Sequence, residues 1–269
     1  MALGKSAAVV IGSFPLGESD RVVTFFSRDF GKVRGVAKAS RRPRSRFTGA
    51  LELFTLGQLV FFDTGRSELV RIDHFDVVHP LARLREDLDR LGHASWAIEC
   101  VGRLTAERDP HVGLFALLVR TLRSMERIAP GRVAVCFVIR CLEALGHRPR
   151  LDACVECGRR APFPRARLGE GGLVCEACAP GLPGLVAISP AAVATMERLR
   201  AAAWDEALGA PLGRMEGELK TVLDVHLTRL IGHAPRATKF LREVRRVSEI
   251  AGDRMNEAPR ATRAAEASL

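Results

Sequence analysis

Hydrophobic residues recur with one period in the first part of the chain and with another in the rest. From about residue 6 to residue 78 apolar and polar positions alternate, which predicts β-strands at Ala7–Phe14, Arg21–Ser27, Lys32–Lys38, Gln58–Asp63 and Glu68–Val78. Turn-forming residues separate them: Pro15 to Ser19, Asp29-Phe30-Gly31 and Asp63-Thr64-Gly65. Nine of the 13 phenylalanines lie here (Phe14, Phe25, Phe26, Phe30, Phe47, Phe54, Phe61, Phe62, Phe75), as the core of a small β domain requires. Five short strands with a long excursion between the third and fourth predict a small barrel.

After Pro80 the spacing changes to three and four, the mark of helices with one buried face. Leu81, Leu84, Leu88 and Leu91 begin it, followed by Ala94, Ile98, Val101 and Leu104. Two further stripes are Leu114, Leu118, Leu122, Met125 and Val135, Ile139, Leu142, Leu145. Ser189-Pro190 reads as a cap with proline at the first helical position, opening a helix to about Trp204. Leu219, Val222, Leu223, His226, Leu227 and Leu230 form another apolar face, on which His226 reads as a hydrogen-bonded core residue. Trp96, Cys100, Cys136 and Cys141 sit on or beside such stripes and are expected in the core. Lys239, Arg242, Arg245 and Arg246 give the last helical segment a basic side, either a second contact surface or a solvated face. Residues from about Gly252 to Leu269 carry no stripe and are expected to be disordered.

Charge changes the picture most between Lys32 and Arg46. The chain carries a net charge of +10 with a pI near 10.0, pointing to nucleic acid or an anionic surface. Lys32, Arg34, Lys38, Arg41, Arg42, Arg44 and Arg46 crowd this stretch, and no acidic residue occurs from Phe30 to Leu51. A period of two puts Lys32, Arg34 and Lys38 on one strand face, and Ala39 to Arg46 reads as the loop that leaves it. Such a surface suits a phosphate backbone; the bland alternative is a solubilising loop. With this stretch inside it, the five-stranded barrel fits the OB-fold, which binds oligonucleotides. Phe47 is a candidate for base stacking. Gly4-Lys5-Ser6 looks like the end of a phosphate-binding loop, but that motif's first glycine would precede Met1 and the triplet precedes a strand.

Seven cysteines include two CxxC pairs, Cys154/Cys157 and Cys175/Cys178, separated by seventeen residues. Each pair lets two thiolates reach one ion from a tight turn, and two pairs complete a tetrahedral shell. Four cysteine ligands leave no open position, so the expectation is one structural zinc per chain. A redox dithiol needs only one pair, and iron–sulfur clusters usually have other spacings. No membrane-spanning stretch occurs, and Ala7 to Ile11 is too short for a signal-peptide core, so a cytoplasmic location is expected.

Three blocks resemble the RecO family of bacterial recombination mediators: Leu16 to Phe54, with its GESD and RRPRSR segments; Leu142 to Cys178, with both CxxC pairs; and, more weakly, His226 to Leu241. In the third, Ala237-Thr238 stands where a serine is expected before Lys239-Phe240-Leu241. The resemblance implies a multidomain protein, an N-terminal all-β OB-fold barrel followed by an α-helical domain with an inserted four-cysteine zinc module. The expected divisions are 1–79 for the barrel, 80–150 and 184–251 for the two parts of the helical domain, 151–183 for the zinc module and 252–269 for the tail. It further implies binding to single- and double-stranded DNA, annealing of complementary strands, and loading of recombinase onto strands coated by single-strand-binding protein. The implied partners are RecR and the acidic C-terminal tail of single-strand-binding protein, the tail docking on the helical domain. No phosphate loop, HExxH, nucleophile elbow or metal-spaced carboxylate cluster supports an enzyme. A zinc-ribbon protein that binds RNA or acts in transcription is the alternative that charge and cysteines equally allow.

Overall fold

The computed structural model describes residues 2–244; Arg245, Arg246 and the expected tail lie outside the described residues. Five strands, β1 (Ala2–Leu16), β2 (Asp20–Ser27), β3 (Gly31–Ala37), β4 (Leu56–Asp63) and β5 (Val70–His79), close into a barrel in the order β1-β2-β3-β5-β4. All pairings are antiparallel except β3 with β5, whose short parallel contact at Gly35↔Val70 and Val36↔Arg71 closes the ring. This is an OB-like barrel: alternation predicts the five strands, and the cationic stretch and the family resemblance point to the OB-fold. β1 begins five residues earlier than expected because Ala2 to Ser6 pair with β4, a partner that local alternation does not reveal. The Gly4-Lys5-Ser6 triplet is therefore mid-strand, and Gly4 lies under the Phe61 ring, where a side chain would collide.

The strands bury both faces, in two different cores. Ala8, Val10, Val23, Phe25, Val33, Leu59, Phe61, Ile72 and Phe75 fill the barrel, and the turns after β3 plug one end with Phe47, Ala50 and Leu51. Val9, Phe26, Phe54 and Leu56 point outward and join the helical core. Phe14 does not follow the other core phenylalanines: it is 46% exposed near the tip of the β1–β2 hairpin.

The helical part comprises α1 (Arg83–Glu86), α2 (Leu88–Leu104), α3 (Val112–Met125), α4 (Pro130–Ala144), α5 (Pro190–Ala201), α6 (Trp204–Gly209) and α7 (Met215–Ile231), and residues 236–244 are also helical. The Leu81-to-Leu91 stripe is interrupted. Asp87 is extended and accepts from the Arg90 amide as the cap of α2, which turns Leu88 outward to 59% exposure. The expected single face on α4 is also too narrow, because every residue from Val133 to Ile139 is buried among α2, α3, α5, α6 and α7. Ser189 caps α5 as expected, its hydroxyl accepting from the Ala192 amide, but α5 stops at Ala201 and Trp204 opens α6. Trp96, Cys100, Cys136 and Cys141 are buried, and burial pushes the Cys141 thiol up to about 12.

Between α4 and α5 the chain forms a small sheet in the order β7-β6-β8 from β6 (Ala166–Leu168), β7 (Leu173–Val174) and β8 (Val186–Ile188). Leu151, Phe163, Leu168, Leu173 and Ile188 continue the helical core, so this insertion is docked and does not fold around its cysteines alone.

Barrel and helices are bonded at a defined seam. Gly31, at φ +61°, lies against the Asp109 backbone, where a Cβ would clash. The Arg108 amide donates to the Lys32 carbonyl, and the Arg108 guanidinium pairs with Asp63 at 3.0 Å.

Candidate nucleic-acid interface and metal centre

The seven cations of the basic stretch do not share one environment. Lys32 and Arg34 lie on the outer face of β3, whose burial alternates residue by residue. The Lys32 side chain is only 13% exposed; its Nζ donates to the Gly102 and Thr105 carbonyls at 2.8 and 2.9 Å and lies 3.5 Å from Glu107. Those carbonyls belong to the C-terminal end of α2, where the helix dipole favours a cation. Lys32 therefore ties the barrel to the helices and is withdrawn from the free surface. Arg34 is partly exposed and has no side-chain partner among the described residues.

Beyond β3 the cations emerge. Lys38 pairs with Asp20 at 2.8 Å; that bond and the Ala39 amide pull the Asp20 carboxyl down to about 2. Arg41 is held by its amide to the Ser19 carbonyl and by Nη1 to the Gly17 carbonyl, at 2.9 and 2.8 Å. Arg46 stands 5.1 Å from the Phe47 ring centroid and 3.9 Å from Asp73. Arg42 and Arg44 are exposed with no side-chain partner among the described residues. The turns from Ala39 to Arg46 thus hold four exposed arginines on a rim next to the plug of Phe47, Ala50 and Leu51. Phe47 itself is 3% exposed and unavailable for stacking, contrary to the expectation. Arg21, which the sequence did not single out, joins Ser40, Arg41 and Arg42 around a cavity of about 300 Å³ at this rim. Its strand position beside Ser13, 3.3 Å away, gave no periodic signal of that role.

A second cationic feature lies on α3. Arg120, Arg123 and Arg127 are exposed beside Arg28, over a floor of Val112, Phe115 and Val119, in a groove of about 440 Å³. Arg120 lies 5.5 Å from the Trp204 ring and 3.3 Å from Asp205. Of the basic residues expected near the end of the chain, Lys239 and Arg242 are exposed on the 236–244 helix. That helix is docked: Glu99 accepts from the Arg236 and Ala237 amides at 3.0 Å, and the Thr238 hydroxyl donates to buried Asp224.

The four cysteines of the CxxC pairs come together, their sulfur atoms all within 4.8 Å of one another. Each pair sits in a tight turn, with the Gly158 amide donating to the Cys154 carbonyl and the Cys178 amide to the Cys175 carbonyl. Cys154 and Cys175 are buried, while Cys157 and Cys178 face outward. Burial raises the Cys154 thiol, but amide donors from Cys157, Cys175 and Glu156 outweigh it and bring it to about 6. Hydrogen bonds to Cys175 and Cys157 hold Cys178 up at about 12. Crowded thiols that cannot all ionise together are what a bound cation relieves, so this donor set fits a metal ion. His226 takes no part: buried on α7, it meets the His147 carbonyl through Nε2 at 3.1 Å, and burial lowers its pKa. No helix among the described residues is long and apolar enough to cross a membrane.

Comparison with known proteins agrees with this architecture. The family model described as the N-terminal domain of recombination protein O matches residues 1–81, and the model of its C-terminal domain matches residues 85–239. A DNA repair protein RecO of Anaeromyxobacter dehalogenans is 38% identical over 247 residues, covering 89% of this chain and 96% of its own length. The Myxococcus xanthus protein of the same description is 33% identical over 241 residues, 88% of this chain and 96% of its own. That of Symbiobacterium thermophilum is 32% identical over 237 residues, 86% and 92% respectively. With a barrel and a helical domain each matched over nearly their whole length, the chain belongs to the recombination protein O (RecO) family.

Proposed function

We propose that this protein is a non-enzymatic, cytoplasmic mediator of recombination in DNA repair. It binds single- and double-stranded DNA, anneals complementary strands, and helps load recombinase onto single strands coated by single-strand-binding protein. The observation that carries this reading is the rim of Arg41, Arg42, Arg44 and Arg46, four exposed guanidiniums with Lys38 and Arg34 beside them. Two strands repel each other through their phosphates. A rim that neutralises phosphates on both lowers that barrier and keeps the strands close enough to pair. Phosphate contacts carry no sequence information, so binding is sequence-independent. Arg34, Lys38 and the rim are the contacts; Lys32, expected among them, acts through the seam.

The metal is a structural zinc held by Cys154, Cys157, Cys175 and Cys178. A tetrahedral shell with bonds of about 2.3 Å sets sulfurs about 3.8 Å apart, and Cys157 and Cys175 already stand at 3.8 Å. Zinc there would fasten the insertion onto the helical core. The acidic tail of single-strand-binding protein fits the groove beside α3, where Arg120, Arg123 and Arg127 meet carboxylates and Val112 and Val119 meet apolar side chains. RecR is the other protein partner that family membership supports.

Stopped-flow annealing of complementary oligonucleotides tests the central reading. The protein should accelerate pairing, and added salt should remove the effect; no acceleration at any salt would sink the proposal. Competition with matched single-stranded RNA separates it from an RNA-binding role, which predicts RNA as the stronger competitor. An ATPase or nuclease signal would instead favour an enzyme.

A further inference from the structure

The outer face of β1, β2 and β3 changes character along its length. Strand register lays rows across it: Val9–Phe26–Lys32, then Gly12–Thr24–Arg34, then Phe14–Val22–Val36. A last row pairs Leu16 with Asp20 and continues to Lys38 through its salt bridge. The first row lies under the helices, with Val9 and Phe26 fully buried and Lys32 bonded to the end of α2. Cover from α2 reaches as far as Ile11, which packs toward Gly102. Past that point the β1 edge of the face opens: Phe14 is 46% and Leu16 42% exposed, while Val22 beside Phe14 stays buried.

The open end is joined to the cationic rim. Three hydrogen bonds hold rim to hairpin: Arg41 amide to Ser19 carbonyl, Arg41 Nη1 to Gly17 carbonyl, and Ala39 amide to the Asp20 carboxylate, at 2.9, 2.8 and 2.8 Å. Phe14 therefore lies one row along from Arg34 and one row along from Lys38, and both cations stand two strands across the sheet from it, roughly 12 Å away with rows about 7 Å and strands about 4.8 Å apart. Folding leaves much of this ring in water, so its burial is not what the barrel gains from it. A line of cations along β3 with an aromatic ring two strands away matches a single strand whose phosphates track the cations while a base reaches across to the ring. A duplex offers phosphates but keeps its base faces stacked on one another, so it engages the rim and not the ring.

Resting on the DNA-binding reading above, we infer that Phe14 stacks an unpaired base and gives this barrel its preference for single strands over duplex. The phosphate contacts set affinity for both forms, and the ring adds to one of them. For annealing, this means that the stacking is surrendered as the strands pair, which favours release of the duplex product.

Fluorescence anisotropy with the full chain, using labelled oligothymidine and a duplex of equal length over a salt series, tests it. Phe14→Ala should weaken single-strand binding roughly fivefold to tenfold or more. It should leave duplex affinity and both salt slopes unchanged, because every phosphate contact remains. Phe14→Trp should keep single-strand affinity, and its emission should be quenched by single strand and not by duplex; Trp96 and Trp204 are buried and leave that signal clear. Equal loss on both substrates would mean that Phe14 only shapes the hairpin and would overturn the inference. A Phe14→Ala variant that binds like wild type would remove Phe14 and leave the DNA-binding reading standing. Wild type that binds neither substrate would overturn both.

Discussion

Changing Arg41, Arg42, Arg44 and Arg46 together to alanine removes the cationic rim while keeping the plug beneath it. Folding should barely respond. The substitutions remove one hydrogen bond from Arg41 to the Gly17 carbonyl, the packing of Arg46 on Phe47 and a 3.9 Å approach to Asp73, all at exposed side chains. Such interactions are worth about 1 kcal/mol or less in total. Phe47, Ala50 and Leu51 still close the barrel. DNA binding should change much more. If each arginine meets one phosphate of a single strand, the log–log salt slope falls by about 0.7 per residue, or roughly 3 for all four. Over a fourfold rise in salt the wild type then loses about 50-fold more affinity than the variant. Arg42 and Arg44, which have no intramolecular partner among the described residues, should account for about half of the change on their own. Titrations on several unrelated sequences should give the same shift on each, with the annealing rate falling in parallel. A variant with wild-type melting temperature, salt slope and annealing rate would refute the assignment and leave these arginines as a solvated loop. Attention would then pass to the groove on α3.

Lys32→Met should cost about 2–3 kcal/mol in chemical denaturation, because two carbonyls at the end of α2 lose a charged donor; its DNA salt slope should match wild type, and an unchanged denaturation midpoint would dismiss the seam. Cys157→Ser should abolish bound zinc by elemental analysis and raise hydrogen exchange from Leu151 to Ile188 while the barrel stays protected; a variant that keeps its metal would refute the ligand set. An acidic, partly apolar tail peptide should bind the wild type, resist salt in part because contacts to Val112 and Val119 are unscreened, and bind Arg123→Ala/Arg127→Ala at least tenfold more weakly, about 1.4 kcal/mol; undiminished binding places the tail elsewhere. Burial lowers the pKa of His226, so the fold gains from its neutral form above the ordinary value of 6.5 and loses that stability as pH falls below it. His226→Gln should show a smaller drop in melting temperature on acidification; an equal drop would point to other groups.

Much of this architecture is legible along the chain because it is set by short-range geometry. A period of two becoming three and four separates barrel from helices, and two CxxC pairs in tight turns bring four sulfurs within 4.8 Å. Ser189-Pro190 caps a helix for reasons contained in a few residues. What alternation cannot say is which neighbour covers a face. A period of two puts Lys32, Arg34 and Lys38 on one side, yet β3 ends at Ala37 before Lys38, and α2 ends against Lys32 and withdraws it, while Arg34 and Lys38 stay open. Among the phenylalanines Phe26 is buried under the helices, Phe47 inside the barrel and Phe14 stays about half exposed, although all three are equally apolar. Leu88 fits its stripe by spacing and fails because Asp87 restarts the helix, and α4 buries every side because helices surround it. The residue types and their spacing determined the elements, the four-cysteine cluster and the cationic stretch. Which of those cations and rings remain open to a ligand was decided by the packing of one domain on the other, since burial depends on neighbours distant in sequence.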